Sequence, residues 1–335
     1  MPFYHYSKAL AATMLALNDH TTAKSDATLA SVLLLGLFEN ISGELPAGGW
    51  QWHIKGAIEL VYARGHSQVS TTLGLDLFIA ARTQMYWGTS NAQLRLVDSK
   101  RSQRSTAARC QQYNMCTAVV KAKVAELMPK PRRPETVEAV HKAIEDCQRL
   151  IKNISDWSSS FPQSCRWVTA GWEAPSTVLD YKKASAFPGR IDRCSSIWLA
   201  SIWNMLRCSH VILESTVVRC AAWLDPHRDY RTTPEYAAAT KSCSSTIEDF
   251  IASVPYQFGY MPFFGGETSR GPGYAAYKCG HDDAPKTLPG FILMWPLTCM
   301  MRQDYTTDAQ RQWLRGRLEY LGCELGIRCA LKLAK

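Results

Sequence analysis

The chain has 335 residues, 46% of them hydrophobic and 20% charged, with 11 tryptophans. That apolar and aromatic content supports a sizeable core and excludes a disordered chain. A net charge of +9 admits an acidic partner such as nucleic acid without requiring one.

Helical periodicity dominates, with no convincing alternating strand. The chain opens almost directly on a helix at Tyr4. Leu29–Ile41 and Trp52–Arg64 are helical segments joined by the turn GELPAGG, and Leu73–Gln93 is a third. A less ordered connection is expected at 97–112. In 134–157, Val137, Val140, Ile144, Cys147, Ile151 and Ile154 alternate spacings of three and four, which puts them on one helix face. Pro134 and Glu135 suit its first turn. A second loose connection is expected at 158–188.

The next helix should run from about Ile191 to Trp223. Its stripe of Ile191, Cys194, Trp198, Ile202 and Met205 is thickened by Leu199, Trp203, Leu206 and Leu213. A helix apolar over so much of its circumference belongs at the centre of a helical domain. Thr233-Pro234-Glu235 is an N-cap followed by Pro, opening a helix to about Val254. A third connection should occupy 259–288, and Pro296 should kink or begin a helix near Trp295. Thr307-x-x-Gln310 reads as a capping box for a last helix with Leu314, Leu318, Leu321, Leu325 and Cys329 inward. The expected fold is all-α, a large multi-helix domain over 1–335 without a substantial β-sheet; 158–188 is the place where it would divide.

The twelve cysteines are spread from Cys110 to Cys329, many inside helical patterns. MPFYHYSKALAATMLAL is interrupted by His5 and Lys8 and does not read as a secretory leader. The apolar run Phe291 to Met301 falls far short of the ~20 residues a bilayer requires. A reduced, intracellular protein with buried thiols and no membrane segment is expected.

The motifs that carry chemistry are weak. No two cysteines stand in a C-x-x-C relation; Cys110 and Cys116, or Cys323 and Cys329, lack further ligands nearby. Cys279-Gly280-His281 with Asp282 and Asp283 is the only compact donor group in the sequence, and it lacks ligand spacing. Gly271-Pro272-Gly273-Tyr274-Ala275-Ala276 matches a dinucleotide fingerprint formally, but loop-like residues precede it. Gly266 and Gly271 have P-loop spacing with Pro272 and Gly273 where Lys and Ser or Thr belong. No G-x-S-x-G elbow occurs, and Cys208 and His210 lie two apart on one helix, facing differently. His53 and His66 read as core or surface imidazoles. No catalytic, cofactor-binding or metal residue is therefore assigned. Lys100, Arg101, Arg104 and Arg109 form one basic stretch. Lys130, Arg132 and Arg133 form another, inside MPKPRRPE, which reads as a Pro-stiffened linker or a nuclear-localisation patch. Neither interleaves aromatics, Tyr113 being nearest, which argues against direct DNA contact by this chain.

Several segments nevertheless share an order. LLLGLFENISG at 33–43 is an apolar helix ending in an acidic residue. Trp52, His53, Gly56 and Ala57 with Arg64-Gly65 follow, then Leu77-Phe78 and Arg82-x-Gln84. Later come IWNMLRCSHVIL at 202–213, IASVPYQFG at 251–259, Trp295-Pro296-Leu297, Trp313 and Gly326-Ile327. Together they resemble the fungal-specific transcription factor regulatory domain, which ordinarily follows a zinc binuclear cluster; no such cluster is present in this sequence. In physical terms these residues read as fold determinants, with Trp52, Trp198, Trp203, Trp295 and Trp313 as core anchors. The resemblance implies transcription regulation in the nucleus at RNA polymerase II genes. It further implies partners among other transcription factors or coregulators, and admits a small-molecule effector. The missing cluster points to a truncated chain or a zinc-cluster-less relative. The competing readings are a small-molecule-binding helical protein, an enzyme of specialised metabolism with Phe263-Phe264 in a lid, and a partner that heterodimerises with intact relatives.

Overall fold

A computed structural model describes residues 2–43, 49–88, 106–175, 180–259 and 287–335. Among them the chain forms eleven α-helices and one two-stranded sheet, an all-α architecture. Two compact units emerge: Met1–Met115 with Gly326–Cys329, and Cys116–Leu325 with Ala330–Lys335.

The first unit is built on α1 (Pro2–Asn18), α2 (Asp26–Ser42), α3 (Gly49–Arg64) and α4 (Thr72–Gly88). Helix α2 starts where Ser25 Oγ accepts from the Thr28 amide at 3.1 Å, a cap that satisfies one orphan donor. It ends at Gly43, whose φ of +61° turns the chain left-handed so that its amide reaches Glu39 O. The core of this unit joins Leu29, Val32 and Leu33 of α2 to Ala57 and Val61 of α3 and Phe78 and Ala81 of α4. Ala57 falls one turn before Val61 on α3, so both meet α2 on the same face.

The second unit holds most of α5 (Thr106–Leu127), then α6 (Pro134–Ser159), β1 (Val168–Glu173), β2 (Gly189–Arg193), α7 (Ile197–Leu224), α8 (Pro234–Gln257), α9 (Thr287–Met301), α10 (Asp308–Cys323) and α11 (Cys329–Leu333). The striped helix at 134–157 is α6, and its Val140, Cys147 and Ile154 are buried. Helix α7 is central, packed by α6, α8 and α9, with Ala200, Val211 and Cys220 fully buried. Both expected caps form: Thr233 Oγ1 accepts from Tyr236 N at 3.2 Å, and Thr307 and Gln310 make a reciprocal capping box.

Several expectations are corrected. Residues 106–112, expected as part of a connection, are the start of α5. Residues 168–173 and 189–193 pair as an antiparallel ladder running from Val168↔Arg193 to Glu173↔Gly189, although their sequence shows no clear strand alternation. Ile191 and Cys194 thus precede α7 and are not part of it; the helix begins after Ser196, whose Oγ accepts from Leu199 N at 3.2 Å. Pro296 lies inside α9, so of the two alternatives it does not begin that helix. The final helix stops at Cys323, and Gly326 at φ +75° separates it from α11, so Leu325 and Cys329 are not on one continuous face. The five tryptophans also divide. Trp313 is fully buried and Trp203 and Trp295 partly so, but Trp52 and Trp198 are 73% and 59% exposed.

Candidate functional site

The segments that carry the resemblance at the N-terminal end meet physically in the first unit. Glu39, the acidic residue ending the α2 motif, is buried. Its Oε1 accepts from the Tyr6 hydroxyl and lies 2.9 Å from His53 Nε2 on α3. Phe38 stacks on Tyr6 with centroids 4.9 Å apart. A side chain on Gly49 would stand 2.5 Å from Glu39 Oε2, so the glycine makes room for the carboxylate. Burial, the Glu39 hydrogen bond and the Glu39 charge all raise the Tyr6 pKa, keeping it the donor. At the other end of α3, Arg64 bonds the Asp26 carboxylate and donates to Ser25 O at 3.1 Å. Gly65 then turns at φ +62°. The His53 and Arg64-Gly65 motif residues thus tie α2 to α3. They hold the fold together.

The basic stretch at 130–133 is likewise structural at Arg132. Its Nε donates to Trp223 O at 2.7 Å, and its guanidinium lies 5.3 Å from the Trp223 ring centroid. Lys100, Arg101 and Arg104 lie outside the described residues. So do the 271–276 glycine run, Gly266, Phe263-Phe264 and the Cys279–Asp283 group. None of the eleven described cysteines is joined in a disulfide. Among the described residues no group of three or more His, Cys, Asp or Glu is arranged to hold a metal, and no helix is long and apolar enough to cross a membrane.

One constellation invites a catalytic reading and does not support it. His210 Nε2 lies 2.7 Å from Ser242 Oγ and 3.8 Å from Glu214 Oε1. In a nucleophilic relay the carboxylate holds the ring nitrogen opposite the one facing the hydroxyl; here both address Nε2. Burial lowers the His210 pKa and raises that of Glu214, so the group behaves as a satisfied interior cluster.

The second unit does contain a cleft of about 370 Å³, which sequence reasoning missed. It lies among the end of α6, the β1–β2 hairpin, α7 and α8, and is lined by Arg166, Trp167, Arg190, Asp192, Trp203, Arg207 and Asp249 among others. The hairpin supplies Arg190, whose Nε stands 3.0 Å from the Asp192 carboxylate and whose Nη2 bonds Asp249 of α8. Against the burial that would lower it, these carboxylates raise the Arg190 pKa. Arg166 donates to Phe161 O at 3.1 Å and Ser159 O at 2.6 Å. Arg207 donates to Asn204 Oδ1 at 2.8 Å and lies 5.2 Å from the Trp167 ring centroid. Burial, resisted by Asp249 and Asp192, draws the Arg207 pKa down to about 10, which leaves it charged at neutral pH. Asn204 in turn donates to Gln257 Oε1 at 2.7 Å and accepts from Ser253 Oγ at 3.0 Å. That buried network fixes the floor under Arg207. The only signal in the sequence was an arginine in the middle of the apolar α7 stripe; the other cleft residues come from separate elements with no shared spacing.

Comparison with known proteins places these features. Residues 3–91 match the family described as the fungal specific transcription factor domain, so the match falls on the first unit and the cleft lies outside it. Transcription factor dbaG of Emericella nidulans is 22% identical over 210 residues, covering 62% of this chain and 47% of the relative. The chain thus spans about half the length of the curated relative it matches. No solved structure matches. Glu39, His53, Arg64 and Gly65 all lie inside the matched region, so the similarity to a fungal specific transcription factor domain rests on residues of the first unit.

Proposed function

We propose that the chain is the regulatory and interaction body of a nuclear transcription factor, acting on RNA polymerase II genes through partner transcription factors or coregulators. The observation that carries this reading is the match of 3–91 to a transcription factor domain, over residues whose motif side chains knit α2 to α3. The transcription factor name of the matched relative points the same way. On this reading the chain turns over no substrate, and promoter recognition is delivered by partners or by protein segments other than those described.

The test is to tether the chain to a heterologous DNA-binding domain upstream of a reporter. Nuclear accumulation and a change in reporter transcription in either direction, lost when the first-unit core is broken by Phe78→Asp, is the expected result. A fusion that reaches the promoter and leaves transcription unchanged would refute the proposal.

A further inference from the structure

The cleft between the hairpin, α7 and α8 has an unbalanced charge. Three guanidinium groups, Arg166, Arg190 and Arg207, face it with two carboxylates, Asp192 and Asp249. Both carboxylates are engaged by Arg190, and Arg166 is spent on backbone carbonyls. The direct partners of Arg207 are a neutral amide and an indole face; Asp249 and Asp192 act on it at longer range, and among the described residues no carboxylate lies within ion-pair reach of it. A partly desolvated cation without a counter-charge in contact gains from an arriving anion, and a guanidinium fork suits a carboxylate. Trp167 adds a second unmet demand, since its indole N–H is buried and has no acceptor among the described residues. The volume of about 370 Å³ falls at the small end of ligand pockets, enough for one compact molecule. The tryptophans offer flat apolar surface, which favours a planar body over a bare ion.

We propose that this cleft binds a small organic monoanion, a flat apolar body bearing one carboxylate, with Arg207 as its charge partner beside Trp167 and Trp203. Three guanidinium groups against the carboxylates of Asp192 and Asp249 leave the cleft at one positive unit, which selects a singly charged ligand. The site would serve as an effector site of the regulator proposed above. The binding claim itself is tested on purified protein, so its failure leaves the tethered-reporter result standing.

The experiment is calorimetric titration of the whole chain with benzoate, with benzamide as the neutral isostere, and with inorganic phosphate. Saturable one-to-one binding of benzoate is expected, with benzamide and phosphate each about tenfold weaker or worse. Arg207→Gln should weaken benzoate by about ten- to a hundredfold, the loss of one charge-assisted contact. Asp249→Asn, on a partly exposed side chain, should tighten benzoate and bring phosphate closer to it by raising the cleft charge. This second variant keeps the test decisive if Arg207→Gln fails to fold. Absence of saturable benzoate binding at millimolar concentration would overturn the proposal. So would equal binding of benzamide, tighter binding of phosphate, or no response to Asp249→Asn.

Discussion

Two tryptophans that look alike in the sequence should behave oppositely when removed. Trp313 on α10 is fully buried; its indole donates to Ala184 O at 3.0 Å, and Phe187 meets it edge-on at 6.0 Å. Truncating a buried tryptophan costs about 3–5 kcal/mol through lost transfer energy and the cavity left behind. The Ala184 carbonyl loses its donor as well, adding about 1 kcal/mol. For a unit of this size, roughly 2–4 °C per kcal/mol converts the sum to a fall in melting temperature of about 10–20 °C. Trp198, 59% exposed on α7 of the same unit, should cost no more than about 0.5 kcal/mol on conversion to alanine. Urea and thermal unfolding followed by far-ultraviolet circular dichroism measures both. Equal losses in the two variants, or a loss below about 1 kcal/mol for Trp313→Ala, would refute the role of Trp313 as the buried anchor of α10.

Thr307→Ala removes the hydroxyl from the capping box that starts α10 and should cost about 1 kcal/mol in urea unfolding. Asn204→Ala strips partners from Gln257, Ser253 and Arg207 at once; a loss of about 3 kcal/mol is expected in the same assay, since buried polar groups are left unmatched. Burial holds the His210 pKa below its ordinary value, so the unfolded chain takes up the extra proton. The stability His210 contributes is therefore present above pH ~6.5 and lost as pH falls through its folded pKa. The stability difference between wild type and His210→Gln should accordingly rise with pH from the folded pKa to about 6.5 and level off above it; a flat difference would contradict a buried, neutral imidazole.

What the sequence revealed was local. The α6 stripe and the caps at Thr233 and Thr307 depend on residues within one or two helical turns, and each is found in the structure. The start of helix α5 is hard to see because its buried positions include Asn114 and Thr117, which dilute an apolar count. The apolar stripe of α7 extends too far towards the N-terminus in the sequence because Ile191 and Cys194 are apolar and buried as strand and linker residues; period alone does not separate a short strand from a helix end. Trp52 and Trp198 depart from expectation for a different reason: a side chain's type does not tell which helix face finds a neighbour. The cleft is hidden most completely, since Arg166, Arg190, Arg207 and Asp249 converge only when a hairpin is laid beside two helices.

The most direct test of the central claim is acute depletion of the chain in living cells, with nascent RNA polymerase II transcripts and small-molecule pools sampled together over time. A defined set of transcripts that changes first, with metabolite changes following, is the predicted result. Unchanged nascent transcription alongside a prompt shift in one metabolite pool would contradict the account and identify the chain as an enzyme.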